Sequence, residues 1–379
     1  MLTAPVWARA ESATGAAHFA APLAVLGPDE FPTFTAGGQW KRGRHWSNGF
    51  VVGIAAIRAA RKQDVSAAER LSELLEALSP FLDGSRFQDI GYVFEFSAGA
   101  AWDCGVLDPS VARRFVAAAA AQLERSLDSD GFLVCEWMEG RTAGVDQFAN
   151  LGLWWRTAMS VNARYAPLAE RAFDAGASLL LRPDGSCSEY ARLEANGVVS
   201  RFSKNAAPEA TWARGRAWAF YGTAIAHLAS PSPAKAALLE SMSERIAADF
   251  DAYGFARVVP PDEHEARIDS SAGAVIAAAC LRLDGAGGAD ARRYAQLGVR
   301  LFDALVERGH VREPLDPRGG ILRDVSAPLS SIAVPDESAV WGDYFMLECA
   351  AIADAVLPAR IDKRGAGGPV VKHRREVHE

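Results

Sequence analysis

Two aspartates, each at the mouth of an apolar stretch, are the residues whose type and surroundings first suggest chemistry. Asp146 opens Val145-Asp146-Gln147-Phe148-Ala149-Asn150-Leu151-Gly152-Leu153-Trp154-Trp155, and Asp89 sits in Gln88-Asp89-Ile90-Gly91-Tyr92-Val93-Phe94. An aspartate in such a place has two readings. It caps the helix by accepting a bond from an exposed backbone N–H, or it lies in low dielectric among aromatic rings, holds its proton and donates it. Two carboxylates facing one pocket cannot both ionise freely, so one stays protonated as a donor while the other stays charged and orients water or hydroxyls. A third element, Trp212-Ala213-Arg214-Gly215-Arg216-Ala217-Trp218, offers a guanidinium fork that fits a carboxylate bidentately. Arg216, two positions on, points away from Arg214 on a helix and reads as structural. Asp269 and Asp343 read as caps or inter-helix ties.

Elements able to bring these residues together follow from periodicity. Leu71, Leu74, Leu75 and Leu78 mark one face of an amphipathic helix, as do Val111, Phe115, Ala119 and Leu123; further amphipathic helices are expected over 165–181, 232–250 and 289–307. Between them, six times, a polar or aromatic cluster opens an apolar helix, near positions 46, 89, 146, 212, 269 and 341. Helices apolar all round belong inside and helices apolar on one face belong outside. Six inner helices ringed by outer ones make an all-α (α/α)6 barrel, and the six clusters then converge on one mouth at the inner helices' N-termini, where anions are favoured. Residues 1–358 are expected as one barrel domain, with a possible helix near 16–26. Residues 186–208 read as irregular and polar, and residues 359–379 as a disordered tail.

The 379 residues are half hydrophobic, and the formal net charge of −7 argues against nucleic acid as partner without excluding a small anion. The five scattered cysteines read as free, mostly buried thiols in a reducing compartment. No leader or membrane-spanning run is evident, so a cytoplasmic location and no membrane partner are expected. No metal constellation, phosphate loop or dinucleotide fingerprint appears, so neither a metal nor another cofactor is expected.

In order along residues 40–355, Trp-x-x-Gly-Phe at 46–50, Gln-Asp-Ile-Gly-Tyr at 88–92, Val-Asp-Gln-Phe-Ala-Asn-Leu at 145–151, Arg-Pro-Asp-Gly-Ser at 182–186, Trp-Ala-Arg-Gly-Arg-Ala-Trp at 212–218, Asp-Ser-Ser-Ala at 269–272 and Trp-Gly-Asp-Tyr at 341–344 resemble glycoside hydrolase family 88, the unsaturated glucuronyl hydrolases. The resemblance implies an enzyme that acts on the unsaturated uronic acid left by polysaccharide lyases at the non-reducing end of an oligosaccharide. Such an enzyme hydrates the double bond between C4 and C5 rather than attacking the glycosidic bond directly. It places Asp146 as general acid/base, Asp89 as the second essential carboxylate, Trp46, Trp137 and Trp218 around the sugar, and Arg214 near the substrate carboxylate; Trp212, in the same motif as Arg214, is a further substrate-binding candidate. The chain departs from the pattern where the family has imidazoles and an amide: Gln88 stands before the second aspartate, Glu189 follows the Arg-Pro-Asp-Gly-Ser turn, and Ser203-Lys204-Asn205-Ala206 replaces a Gln-Gly-Tyr segment. Gln88, Glu189 and Lys204 are therefore carried as altered substrate-binding positions, with His45 the one histidine near a motif. The alternatives are a uronide lyase or ordinary glycosidase on the same barrel, and a non-catalytic sugar-binding relative. The chain is expected as a monomer or homodimer.

Overall fold

The computed structural model describes residues 29–62, 65–204, 212–253, 268–287, 290–313, 319–326, 336–354 and 356–358. The helix expected near 16–26, the tail at 359–379 and positions 205–206 lie outside these residues. In chain order, inner helix α1 (Asn48–Lys62) is followed by outer α2 (Val65–Ala77). The second inner stave is broken into α3 (Ile90–Phe94), a π turn (Glu95–Gly99) and α4 (Ala100–Asp103), with α5 (Pro109–Leu123) outside it. The third comprises α6 (Gln147–Asn150) and α7 (Gly152–Ser160), backed by α8 (Tyr165–Leu180). Then come inner α9 (Ala213–Ala229) and outer α10 (Pro233–Tyr253), inner α11 (Ser270–Gly285) and outer α12 (Ala291–Glu307), and inner α13 (Val340–Ala353). Each inner stave packs on the next, and α13 returns to α1, so the ring closes as an (α/α)6 barrel.

Composition explains the two layers. Nearly every side chain of α9, α11 and α13 is buried, and α11 uses Ser, Ala and Gly to approach both neighbours closely. In α12 a single stripe, Tyr294, Leu297, Leu301, Phe302 and Leu305, turns inward while the rest is polar. A hairpin of β1 (Pro32–Ala36) and β2 (Gln39–Arg42) fastens the seam: Thr35 N–H donates to Ser338 O (2.8 Å), and Ser338 N–H to Thr35 Oγ1 (2.7 Å).

The stretch 186–208, expected as irregular, contains a second hairpin. β4 (Tyr190–Leu193) pairs with β5 (Val199–Phe202) on one side and with β3 (Thr142–Gly144) on the other. The strands are too short to show a period in sequence, and the turn at Gly197 (φ +79°) reverses the chain. This small sheet stands beside Asp146 and raises one wall of the mouth.

Toward the C-terminal ends of the staves, charge is buried and paired. Arg156 of α7 forks onto Glu95 (2.7 and 2.8 Å) and Asp103 (2.7 and 2.8 Å), tying both ends of the π-turned stave to its neighbour. Gly99 leaves the room: a Cβ there would lie 2.6 Å from Arg156 Nε. Across the barrel, Glu348 accepts from Tyr221 Oη (2.9 Å) and Arg282 Nε (2.5 Å).

Candidate active site

The N-terminal ends of the staves open into a cavity of about 740 Å³. Asp89 and Asp146 both line it, from adjacent staves. Asp146 precedes α6, yet its side chain makes no capping bond, so the capping reading falls away and the carboxylate is left to the cavity. Asp89 likewise precedes α3 without capping it and instead accepts from Asn150 Nδ2 (3.0 Å).

Asn150 joins the two acids into one unit. Its Nδ2 also donates to Asp146 O (3.1 Å), and its Oδ1 accepts the Tyr92 N–H (2.8 Å). One amide thus spans both staves. The staves meet there because Gly91 has no side chain; a Cβ would sit 2.5 Å from Asn150 O. Asn150 was visible in the sequence four residues after Asp146, but nothing there marked it as a hub.

Electrostatically the site is crowded with acids. Burial is the largest influence on both aspartates. It holds Asp89 well above the usual carboxylate range, helped by the nearby charges of Asp146 and Glu136. Asp146 is pushed up to about 7 by burial and by Glu189, with Arg214 pulling the other way. The pair therefore retains a proton near neutrality, which is what a general acid requires.

The aromatic walls contain the tryptophans singled out in the sequence. Trp46, Trp137, Trp212 and Trp218 all line the cavity, together with Tyr92 and Tyr190. Trp46 stacks on Trp341 (5.0 Å between centroids) and meets Trp218 edge-on (6.4 Å), and Tyr92 packs between Trp46 and Trp218. Trp137, 42% exposed, overhangs the mouth. Among the described residues the Tyr92 hydroxyl is buried without a hydrogen bond.

Arg214 lines the cavity too, but part of its charge is already engaged. Its Nη1 pairs with Asp269 Oδ2 (2.7 Å) and donates to Ser326 O, while the guanidinium lies between Trp212 (4.8 Å) and Trp341 (5.2 Å). Among the described residues its buried Nε has no hydrogen-bond partner. Asp269 is thus a tie between staves rather than a cap, Arg216 ties α9 to Asp249 on α10, and Asp343 accepts the N–H groups of Ile321 (2.8 Å) and Leu322 (2.9 Å).

Three candidates do not reach the cavity. Glu189 is buried behind its wall, accepting from Ser203 Oγ and the Lys204 N–H (2.9 Å). It acts on Asp146 through its field instead. Lys204 points outward, its amine 6.0 Å from the Tyr190 ring centroid. Gln88 is buried beside Asp89, and its backbone N–H donates to Glu136 Oε2 (3.1 Å). The short β-pairing of β4 with β3 turns Tyr190, not Glu189, toward the ligand, since neighbours on a strand face opposite sides. Conversely, Arg44, His45, Phe81, Ser85, Arg86 and Phe87 line the mouth without having been singled out as site residues; none stands in a chemical motif except His45, beside Trp46. Among the described residues no cluster of His, Cys, Asp and Glu is arranged to hold a metal ion, and no helix is long and apolar enough to cross a membrane.

No protein-family model matches the chain. It is 26% identical over 327 residues to an unsaturated glucuronyl hydrolase of Bacillus sp. strain GL1, covering 80% of this chain and 84% of the relative. It is 24% identical over 329 residues to an unsaturated chondroitin disaccharide hydrolase of Streptococcus pyogenes serotype M1, covering 80% and 79%. Among solved structures, the unsaturated glucuronyl hydrolase of Bacillus sp. GL1 superposes with a TM-score of 0.82 at 22% identity over 95% of this chain and 100% of that one. An unsaturated glucuronyl hydrolase specific for heparin gives 0.80 at 19% identity, over 94% and 99%.

Proposed function

We infer that this chain, which belongs to the unsaturated glucuronyl hydrolase family, is a glycosidase that removes an unsaturated uronic acid from the non-reducing end of oligosaccharides produced by polysaccharide lyases. One arrangement carries the reading to particular residues: Asp89 and Asp146 line the same tryptophan-walled cavity beside an arginine, with desolvation raising the proton affinity of both.

In this reading Arg214 and the tryptophans hold the sugar with its carboxylate toward the guanidinium. Asp146, protonated, delivers its proton to C4 of the enol ether, and the positive charge that develops at C5 is met by water. Asp146 takes a proton back from that water as the C–O bond forms, so the acid is regenerated and one water is consumed. The hemiketal at C5 then opens, the bond to the departing sugar breaks, and a keto acid is released. Asp89, fixed by Asn150, orients the sugar and the water. At the mouth, Arg44 and Arg86 extend positive charge outward, which supports a further anionic group on the next sugar.

The test is the loss of ultraviolet absorbance of the conjugated double bond when the protein meets lyase-made disaccharides, beside Asp146→Asn. Decay with the wild type and none with the variant is expected. No decay on any disaccharide, with a rise on a saturated uronide polymer, would replace hydration by β-elimination.

A further inference from the structure

We propose that His45 is a substrate-binding residue, whose Nε2–H donates to the uronic acid carboxylate alongside Arg214. The assignment rests on the hydration reading for its ligand, and on geometry for the rest.

His45 lines the cavity in the turn before α1, and that turn is tied down on every side. Its N–H donates to Asn48 Oδ1 (2.7 Å), its C=O accepts the Asn48 N–H (3.0 Å), and Asn48 Nδ2 donates to Gly43 O (3.1 Å). The ring is clamped between Phe34 (6.1 Å, edge-on) and Trp46 (5.3 Å). Its Nδ1 lies 2.8 Å from the buried Ser47 Oγ, and the Ser47 N–H points at the same atom from 3.4 Å. A ring nitrogen addressed by an N–H must present its lone pair, so the proton of the neutral imidazole belongs on Nε2. Nε2 makes no hydrogen bond among the described residues, so it offers the cavity a directed donor held in place before any ligand arrives.

Two further facts suit this role. Burial and then the Arg214 charge lower His45 to about 4, so the ring stays neutral through the working range and the donor is always present. Arg214 alone is an incomplete receptor for a carboxylate, because Asp269 and Ser326 O already engage its Nη1. A neutral N–H beside it adds direction without adding a second cation that would repel the first. The acids facing the same space, Asp89 and Asp146, accept or donate at the reacting carbons and do not compete for the carboxylate.

The experiment separates the two ends of the ring. Asn at 45 places an acceptor where Nδ1 was and keeps the Ser47 tie but removes the donor; Gln places an amide near Nε2 and restores it. On the unsaturated disaccharide, His45→Asn is expected to raise KM roughly tenfold to a hundredfold with a smaller change in kcat, since a bond to a charged acceptor is lost. His45→Gln should recover most of that loss. On the same disaccharide with its uronic carboxylate as a methyl ester, the two variants and the wild type should converge. Equal penalties on acid and ester, or a Gln variant as poor as Asn, would overturn the assignment while leaving the reaction intact. If the wild type turns over no unsaturated disaccharide, the hydration reading fails separately. Tryptophan fluorescence titrated with glucuronate then decides: binding weakened in His45→Asn and restored in His45→Gln upholds the contact, and equal binding by all three overturns it.

Discussion

Replacing Glu189 with glutamine isolates the field that this buried acid exerts on Asp146. The substitution keeps the shape: a glutamine oxygen can still accept from Ser203 Oγ and the Lys204 N–H. What changes is the charge, the second largest cause after burial of the rise of Asp146 to about 7. A like charge beside a buried carboxylate raises its proton affinity by roughly 1–3 pH units, or about 1.4–4 kcal/mol. Screening and relaxation reduce this, so a shift of about one unit is expected. The direction follows from the role proposed for Asp146. The protonated form donates, so activity falls as pH rises through its pKa, and lowering that pKa moves the fall toward acid. Initial rates of absorbance decay, measured as kcat/KM across the pH range, should show the alkaline limb of Glu189→Gln displaced by about one unit, with little change on the acid side of it. An unmoved limb would show that Glu189 does not set the proton affinity of Asp146. A limb moved toward alkali would refute Asp146 as the acid whose protonated form reacts.

Other perturbations test the supporting structure. Asn150→Ala removes the amide that holds Asp89 and should lower kcat by roughly a hundredfold, with the barrel's circular dichroism unchanged. Arg156→Met leaves Glu95 and Asp103 buried without their partner and should cost about 3–5 kcal/mol in urea unfolding; a loss under 1 kcal/mol would count against that arrangement. Asp343, raised to about 7 by burial, is favoured protonated in the folded chain. The stability this contributes is complete below the ordinary aspartate range and is lost as pH rises toward and through 7, by at most ~4 kcal/mol. The melting temperature of Asp343→Asn relative to wild type should therefore climb between about pH 4 and 8; a constant difference would contradict the raised affinity.

The barrel was legible because its layers differ in composition. Small-residue helices such as α11, buried on all faces, alternate with one-striped helices such as α12, and six clusters, each a helix pair or more apart, supply the ring. Asp89, Asp146, Trp46 and Trp212 were legible because each stands at the start of an inner stave. What escaped notice has a common cause: it depends on strand pairing or on contacts between distant loops. Counting from the Arg-Pro-Asp-Gly-Ser turn put Glu189 at the ligand, whereas the β3–β4 register gives that place to Tyr190. Arg86 and Phe87 reach the mouth from the loop after α2, which has no helical period. Arg214 looked like an undivided carboxylate receptor, since the sequence does not show that Asp269, 55 residues on, already holds it. The π turn at Glu95–Gly99 is invisible to a period count that assumes an unbroken helix.

The closing seam has a consequence for how the protein comes into being. Thr35 bonds Ser338 and Trp46 stacks on Trp341, pairing the first described elements with the last inner stave across some 300 residues. Loop-closure entropy grows only slowly with length, so the equilibrium cost of that join is modest, but its timing is not. During synthesis, at about 5–20 residues each second, the first stave emerges roughly 15–60 seconds before α13 exists. Until then Trp46 lacks its stacking partner and α1 presents an uncovered apolar flank to solvent. The residues that line the cavity all lie between positions 44 and 218, so its walls emerge well before the helix on which Trp46 finally stacks.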